Sequence, residues 1–479
     1  MENRVGSFFL RAFRVSRVIV LGGLALLISA CGSDHKAIPE IPTTPAKPTI
    51  AGYLYTTTNG EGDNFVVRFD RMSDGSIGTE KLFNTMDSGG ANPAAGGDAH
   101  GDFDAQGAIQ IIGDYLLAVN AGGHTISTFK INKENGDLTF EEIIDSGGMR
   151  PVSITYTLKK GSTTDYWVVV ANQWNNPNIQ HGDGSDKAIE RYPNNAFFSG
   201  DLTAADASDK FRNIVLFSFD STNGDLERVN AERLDSYSRQ NGGPTTAIFS
   251  EDGSKLAVST WGIAHFATST PSLTEQRPSR VYVYDFDKVT GKVSNRRHYE
   301  KNGLAGTIGI NWAKGSNSVI HASNFNPTAD LLDYGLTVLT DNGNTVIKTQ
   351  NFATGAATNR DEACWTVLSP DGRRLYVTSF NANVITPFEV AENGTVSKAL
   401  PFVARGGDAP AGDSKDSYVT VDHKYLYNIG AFQSYSLNTF DITADGLKYK
   451  SQYKVKATAA AEGSAGSYNF LGLTGFDKK

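Results

Sequence analysis

The chain has 479 residues, 39% of them hydrophobic and 20% charged, which excludes a wholly disordered polymer. A formal charge of −8, with no Lys/Arg cluster in the body, excludes a basic face for nucleic acid. Two cysteines cannot build a disulfide framework.

In chain order, Arg4, Arg11, Arg14 and Arg17 precede an apolar run from Val18 to Ala30. A basic segment followed by a short apolar one is a secretory signal, and the run is too short to span a membrane comfortably. It ends in Leu27-Ile28-Ser29-Ala30-Cys31-Gly32, which resembles a bacterial lipobox. The resemblance implies cleavage after Ala30 and lipidation of Cys31. The expected division is a signal peptide over 1–30, a Pro- and Thr-containing lipid-anchored linker over 31–48, and a folded body over 49–479. Gly32 stands where an aspartate would signal inner-membrane retention, so the implied address is the outer membrane, on its periplasmic or surface face. Membrane contact is then through the lipid on Cys31, and Cys364 remains as a thiol without a disulfide partner.

From Ile50 onward no sustained helical period occurs; short β-rich runs alternate with Gly, Asn and Asp. Seven units follow one another. Each has a strand such as Tyr115–Val119 or Trp167–Ala171, then another such as Thr125–Lys130 or Ile214–Asp220, then a tight turn. The turn glycines are Gly75, Gly136, Gly224, Gly291, Gly343, Gly394 and Gly446, and all but Gly291 follow Asn or Asp. Those residues tolerate the positive φ of hairpin turns. The period is about fifty residues, with insertions in three units, which reads as blades of a β-propeller. The predicted fold is all-β, a seven-bladed propeller. Blade one lacks its innermost strand at the N-terminus, and the spare run Tyr468–Thr474 is expected to complete it and close the ring. The body is expected to be a monomer.

The stretch Ser369–Ser379 resembles the seven-bladed lactonase-like propellers, which include bacterial 6-phosphogluconolactonase and fungal carboxymuconate-lactonizing enzymes. Gly113–Phe129, Asn135–Leu138, Ser146–Val152 and Gly243–Val258 are similar to that family in the same way. The resemblance covers most of residues 50–475 through its repeat grammar. It implies a site of His, Arg and Glu over the central channel, without metal or other cofactor, acting on a small lactone or sugar acid. The family site often includes Gly-Pro-Arg-His before an inner strand and a glutamate after the next one. Here the matching positions read Gly243-Pro244-Thr245-Thr246 and Ser259-Thr260-Trp261, so the Arg-His pair and the glutamate are replaced.

Other residues must then polarise a carbonyl and handle a proton. Asp98, His100, Asp102 and Asp104 recur at every second position, which on a strand places them on one face and in a loop lets them wrap a cation. A solvated loop leading into Ala108–Ile112 accounts for the same pattern. Arg360, Asp361 and Glu362 precede a second inner strand, and Arg150, Arg239, Asp413 and Asp416 lie at comparable entries. His100, Glu362, Arg360 and Asp361 are the candidate catalytic set. Asp98, Asp102, Asp104, Arg150, Arg239, Asp413 and Asp416 are the candidate ligand contacts. Inter-blade salt bridges would explain the second group equally. Two polar insertions, Asn172–Asp209 and Gly262–Pro278, carry Trp174, Tyr192, Phe197 and Phe198 in the first. Such loops suit a cell-surface protein or glycan partner, the alternative to catalysis.

Overall fold

Apolar β-branched and aromatic runs bounded by turn residues fold here as sheets standing radially around one axis. The structure is a computed structural model that describes residues 46–60, 63–90, 105–173, 212–229, 233–237, 242–262, 279–300, 306–325, 335–356, 362–406, 412–431, 433–456 and 468–478. Blade one holds β1 (Ile50–Thr57), β2 (Phe65–Met72) and β3 (Ile77–Asn84). Blade two is β4 (Ile109–Ile112), β5 (Tyr115–Asn120), β6 (Thr125–Ile131) and β7 (Leu138–Asp145). Blade three is β8 (Pro151–Leu158), β9 (Asp165–Asn172), β10 (Asn213–Asp220) and β11 (Leu226–Arg228), with β12 (Asp235–Ser236) also on β10. Blade four comprises β13 (Pro244–Phe249), β14 (Lys255–Thr260), β15 (Arg280–Asp287) and β16 (Lys292–Glu300). Blade five comprises β17 (Thr307–Trp312), β18 (Val319–Asn324), β19 (Gly335–Asp341) and β20 (Val346–Phe352). Blade six is β21 (Ala363–Leu368), β22 (Arg374–Ser379), β23 (Val384–Val390) and β24 (Val396–Ala399), with β25 (Val403–Ala404) also on β23. Blade seven is β26 (Ser414–Val419), β27 (Tyr425–Gly430), β28 (Ser436–Thr443) and β29 (Gly446–Lys454). The last strand, β30 (Leu471–Asp477), pairs antiparallel with β1 and is the innermost strand of blade one.

The propeller is therefore seven-bladed and closed by its C-terminal strand, as the repeat predicts. That strand starts three residues later than the sequence suggests. Asn469 N donates to the Thr58 carbonyl and Phe470 N to the Ala431 carbonyl, which draws both residues out of the ladder toward blades one and seven. Residues 1–45, Cys31 among them, lie outside the described residues. Among the described residues no helix is long and apolar enough to cross a membrane.

The core is a set of wedges between blades. Leu117, Val119 and Ile126 meet Val168, Val170, Val215 and Phe217 between blades two and three. Leu54, Val67 and Phe69 meet Tyr427, Ile429 and Leu437 across the closure. This position explains the strand patterns. β9 is apolar on both faces because a blade covers each face, whereas the outer β7 is exposed or half-buried after Leu138.

Six of the seven turn glycines also lie against the preceding blade, Gly343 being the exception. All seven have positive φ. Gly136, at φ +71, lies so close to the Tyr53 ring of the preceding blade that a Cβ would come within 2.5 Å of it. Tyr55 Oη donates to the Gly136 carbonyl at 2.8 Å, and Tyr427 Oη donates to that of Gly75 at 3.0 Å. The hairpin glycine and an aromatic residue of the preceding blade thus form one unit at Gly75, Gly136, Gly224 and Gly291.

Candidate active site at the channel entry

The innermost strands β4, β8, β13, β17, β21, β26 and β30 contact one another in that order around the axis. Six of the seven begin with a register shift against their neighbour, β4 being the exception. A bulge turns side chains out of simple alternation, so the entry end of the ring is where side chains are re-aimed.

The middle of the channel is filled by the chain itself. Gln106 N donates to the Thr245 carbonyl at 3.2 Å, and Gln106 Nε2 donates to the Ile310 carbonyl at 3.3 Å. Gln106 Oε1 accepts from Thr366 N at 2.8 Å, and Trp365 Nε1 donates to the Ala105 carbonyl at 2.7 Å. The Gly107 carbonyl accepts from Ile154 N. Residues 105–107 of blade two therefore touch blades three, four, five and six. β4 is only four residues long because its upstream residues leave the sheet for the channel.

Of the sequence-derived candidates, Asp98, His100, Asp102, Asp104, Arg239, Arg360 and Asp361 lie outside the described residues, as do the insertions over 174–211 and 263–278. Four are described, and all four lie at the channel entry.

Arg150, Glu362 and Asp413 occupy the same place in their blades, the residue just before the innermost strand. Each offers its carbonyl to the amide that follows the blade's second strand: Gln173, Phe380 and Ala431 respectively. Gly243 and Gly306 hold that place in blades four and five. Arg150 has φ +55 and Glu362 φ +44, the left-handed region where a side chain costs about 1–3 kcal/mol. Both side chains are buried. Arg150 N donates to Nδ1 of His124 at 3.0 Å. Burial, with the Arg150 charge second, pushes the His124 imidazole down to about 3, so it stays neutral and accepts this bond.

Asp413 is committed to the fold. Its Oδ2 takes the Arg405 guanidinium at 2.8 Å, with both side chains essentially buried, and also the Ser434 hydroxyl. Oδ1 accepts from Gln433 N at 2.8 Å.

Asp416 differs. In the seven innermost strands the only charged residues are Lys415, Asp416 and Asp477. Asp477 lies at the far end of β30, paired to Arg71 at 2.6 Å. Among the described residues, the innermost strands are thus neutral toward the entry apart from one Lys-Asp pair on blade seven. The pair sits on the β26 bulge, where Ser414 faces Gly430 and Ser417 faces Asn428. Asn428 Nδ2 donates to both bulged carbonyls, those of Lys415 and Asp416. Asp416 Oδ2 accepts from Gly472 N of β30 at 3.1 Å. Burial raises its carboxyl to about 7, against the opposing Gly472 bond and Lys415 charge. Lys415 Nζ donates to Asn469 Oδ1 at 2.7 Å and lies 5.7 Å from the centre of the Trp365 ring.

Lys415, Trp365, Gln106 and Asn469 are site neighbours that the sequence reading missed. The available signal was a Lys-Asp pair inside a strand whose counterparts in other blades are neutral. Among the described residues no group of three or more His, Cys, Asp or Glu side chains could hold a metal ion. A groove of about 530 Å³ between the Leu158–Ser162 turn and Asp287–Val289 lies on the opposite rim, away from this entry.

The fold and this entry define a seven-bladed propeller with a polar mouth over a filled channel. The solved structures it is similar to include propellers of the 6-phosphogluconolactonase-like kind. The periplasmic gluconolactonase of Pseudomonas aeruginosa superposes with a TM-score of 0.57 at 13% identity, over 90% of this chain and 100% of that one. A Bacteroides fragilis protein to which 6-phosphogluconolactonase activity is ascribed gives 0.53 at 14% identity, over 90% and 99%. A hypothetical selenium-binding protein from Sulfolobus tokodaii also gives 0.53, at 10% identity, over 91% and 96%. These likenesses establish the shared fold, which carries unrelated activities. No family model and no curated protein matches the sequence.

Proposed function

We propose that this chain is an exported, lipid-anchored propeller that opens the ring of a lactone or sugar-acid substrate at the channel entry. The observation that carries the reading is the pair of buried, charged, left-handed residues Arg150 and Glu362 at equivalent entries, where blade five has Gly306. Such strain persists where the side chain is used. Arg150 is suited to binding an anionic substrate group and Glu362 to acid–base work. His100, Arg360 and Asp361 complete the proposed catalytic set, and Asp98, Asp102, Asp104 and Arg239 the ligand contacts. The likeness to a periplasmic gluconolactonase supports both the substrate class and an extracytoplasmic site of action. In this reading Cys31 carries the lipid and the outer membrane is the destination.

The test is the double variant His100→Ala with Glu362→Gln, assayed by proton release on the lactones that the unaltered protein opens. A loss of at least about 100-fold in kcat/KM is expected. Unchanged turnover removes this catalytic set.

One observation favours the second reading, a non-catalytic module for a surface protein or glycan. Thr245 and Thr246 stand where related enzymes carry Arg-His. Their hydroxyls are spent on the backbone of blade five: Thr245 Oγ1 donates to the Thr307 carbonyl and Thr246 Oγ1 to that of Ile308, at 2.8 and 2.7 Å. In that reading no lactone is turned over.

A further inference from the structure

We infer that Asp416 is the group that moves the proton during ring opening, and that Lys415 beside it sets the pH at which it does so. The inference rests on the hydrolase reading and moves its acid–base work from Glu362 to blade seven. Three observations carry it. Among the described residues, the two are the only charged side chains on the innermost strands apart from Asp477 at the far end, which is paired to Arg71. They sit on a bulge, a backbone device that re-aims side chains and recurs beside functional sites. Asp416 Oδ2 is fixed by Gly472 N at 3.1 Å, and the residue is only 5% exposed.

The elements packed on β26 bring few other charges to bear. β30 contributes Gly472, β27 contributes Asn428 and β21 contributes Trp365; none of these titrates in the relevant range. Lys415 is the one charged side chain acting on the Asp416 carboxyl, and burial is the larger, opposing influence. Asp413 and Arg405, at the entry of the same blade, neutralise each other at 2.8 Å.

The step balances as follows. Water adds through its oxygen to the lactone carbonyl carbon while one of its protons passes to Asp416 Oδ1, and the carbonyl oxygen becomes an oxyanion. As the carbonyl reforms, the ring C–O bond breaks and Asp416 returns that proton to the ring oxygen, which becomes the product hydroxyl. The remaining proton of the new carboxylic acid is released to solvent, so one proton appears per ring opened.

The experiment uses the full-length protein and a δ-lactone that it opens. Asp416→Asn is nearly isosteric and neutral, so folding is expected to survive and is checked by circular dichroism. kcat is expected to fall at least about 100-fold with KM changed less than about threefold. The unaltered protein's rate is expected to rise with pH through about 7 as Asp416 ionises, and this limb should vanish in Asp416→Asn. Lys415→Met is the second variant, expected to move the limb to higher pH. An Asp416→Asn protein that keeps kcat within threefold and retains the limb overturns the inference and leaves the hydrolase reading standing. A limb unmoved by Lys415→Met overturns the role given to Lys415. Absence of turnover by the unaltered protein on every lactone removes the hydrolase reading, and the role of Asp416 with it.

Discussion

Asp416 makes a prediction about stability that needs no substrate. Its carboxyl is raised from 3.8 to about 7 in the folded chain, chiefly by burial. A group whose folded value is raised holds its proton more tightly when folded. Its stabilising contribution is therefore complete below the unfolded value and is lost as pH rises through the folded one. Each unit of difference corresponds to about 1.4 kcal/mol, so the whole effect is about 4 kcal/mol, of which about 3 kcal/mol falls between pH 5 and pH 8.5. For a body of this size about 1 kcal/mol corresponds to about 1 °C in Tm, so the unaltered protein is expected to lose about 3 °C across that range through this group. Asp416→Asn cannot titrate. The quantity to read is the difference in Tm between the two proteins, by differential scanning calorimetry at half-unit pH steps, because every other titrating group cancels. The variant should gain on the unaltered protein steadily up to pH 7 and level off above pH 8. Parallel curves across the range would refute the burial argument.

Three further outcomes follow from the fold. Gly136→Ala would force a Cβ against the Tyr53 ring at φ +71 and is expected to destabilise by about 2–4 kcal/mol, read as a lower denaturant midpoint at unchanged slope. Asp413→Asn leaves the Arg405 guanidinium buried without its counter-ion and should cost about 3–5 kcal/mol by chemical denaturation, while kcat/KM per folded molecule changes little. Truncation after Phe470 removes β30, strips β1 of its inner partner and exposes both edges of an open ring. The truncated chain should lose the single cooperative melt and associate on size-exclusion chromatography; an unchanged monomeric melt would contradict closure by β30.

The ring was legible in the sequence because hairpin turns require positive φ and glycine supplies it, so seven such turns, six of them Asn-Gly or Asp-Gly, reported seven blades. The aromatic strands were legible too, although their pairing with turn glycines of the next blade, as for Tyr53 and Gly136, is a tertiary contact that no local pattern records. The start of β30 was misplaced because Tyr468–Phe470 is as apolar as the strand itself, and backbone bonds to Thr58 and Ala431 decide where pairing begins. At the site, Arg150 and Glu362 could be found as charged residues just before β-rich runs. The filling of the channel could not. Gln106 reads as an ordinary polar residue before a strand, and its three cross-channel partners lie in Thr245, Ile310 and Thr366, more than a hundred residues away. The place of Lys415 was hidden for a similar reason: its partner Asn469 lies in a different part of the chain, and simple alternation does not record the bulge that carries Lys415 and Asp416.

The most direct test of the account is proton release by the purified full-length protein across neutral and carboxylated γ- and δ-lactones at pH 7.5, with and without a chelator. The account predicts saturable ring opening well above the spontaneous rate, one proton per ring, unaffected by the chelator. No turnover by a folded sample on any of them would contradict it and direct attention to a binding partner at the cell surface.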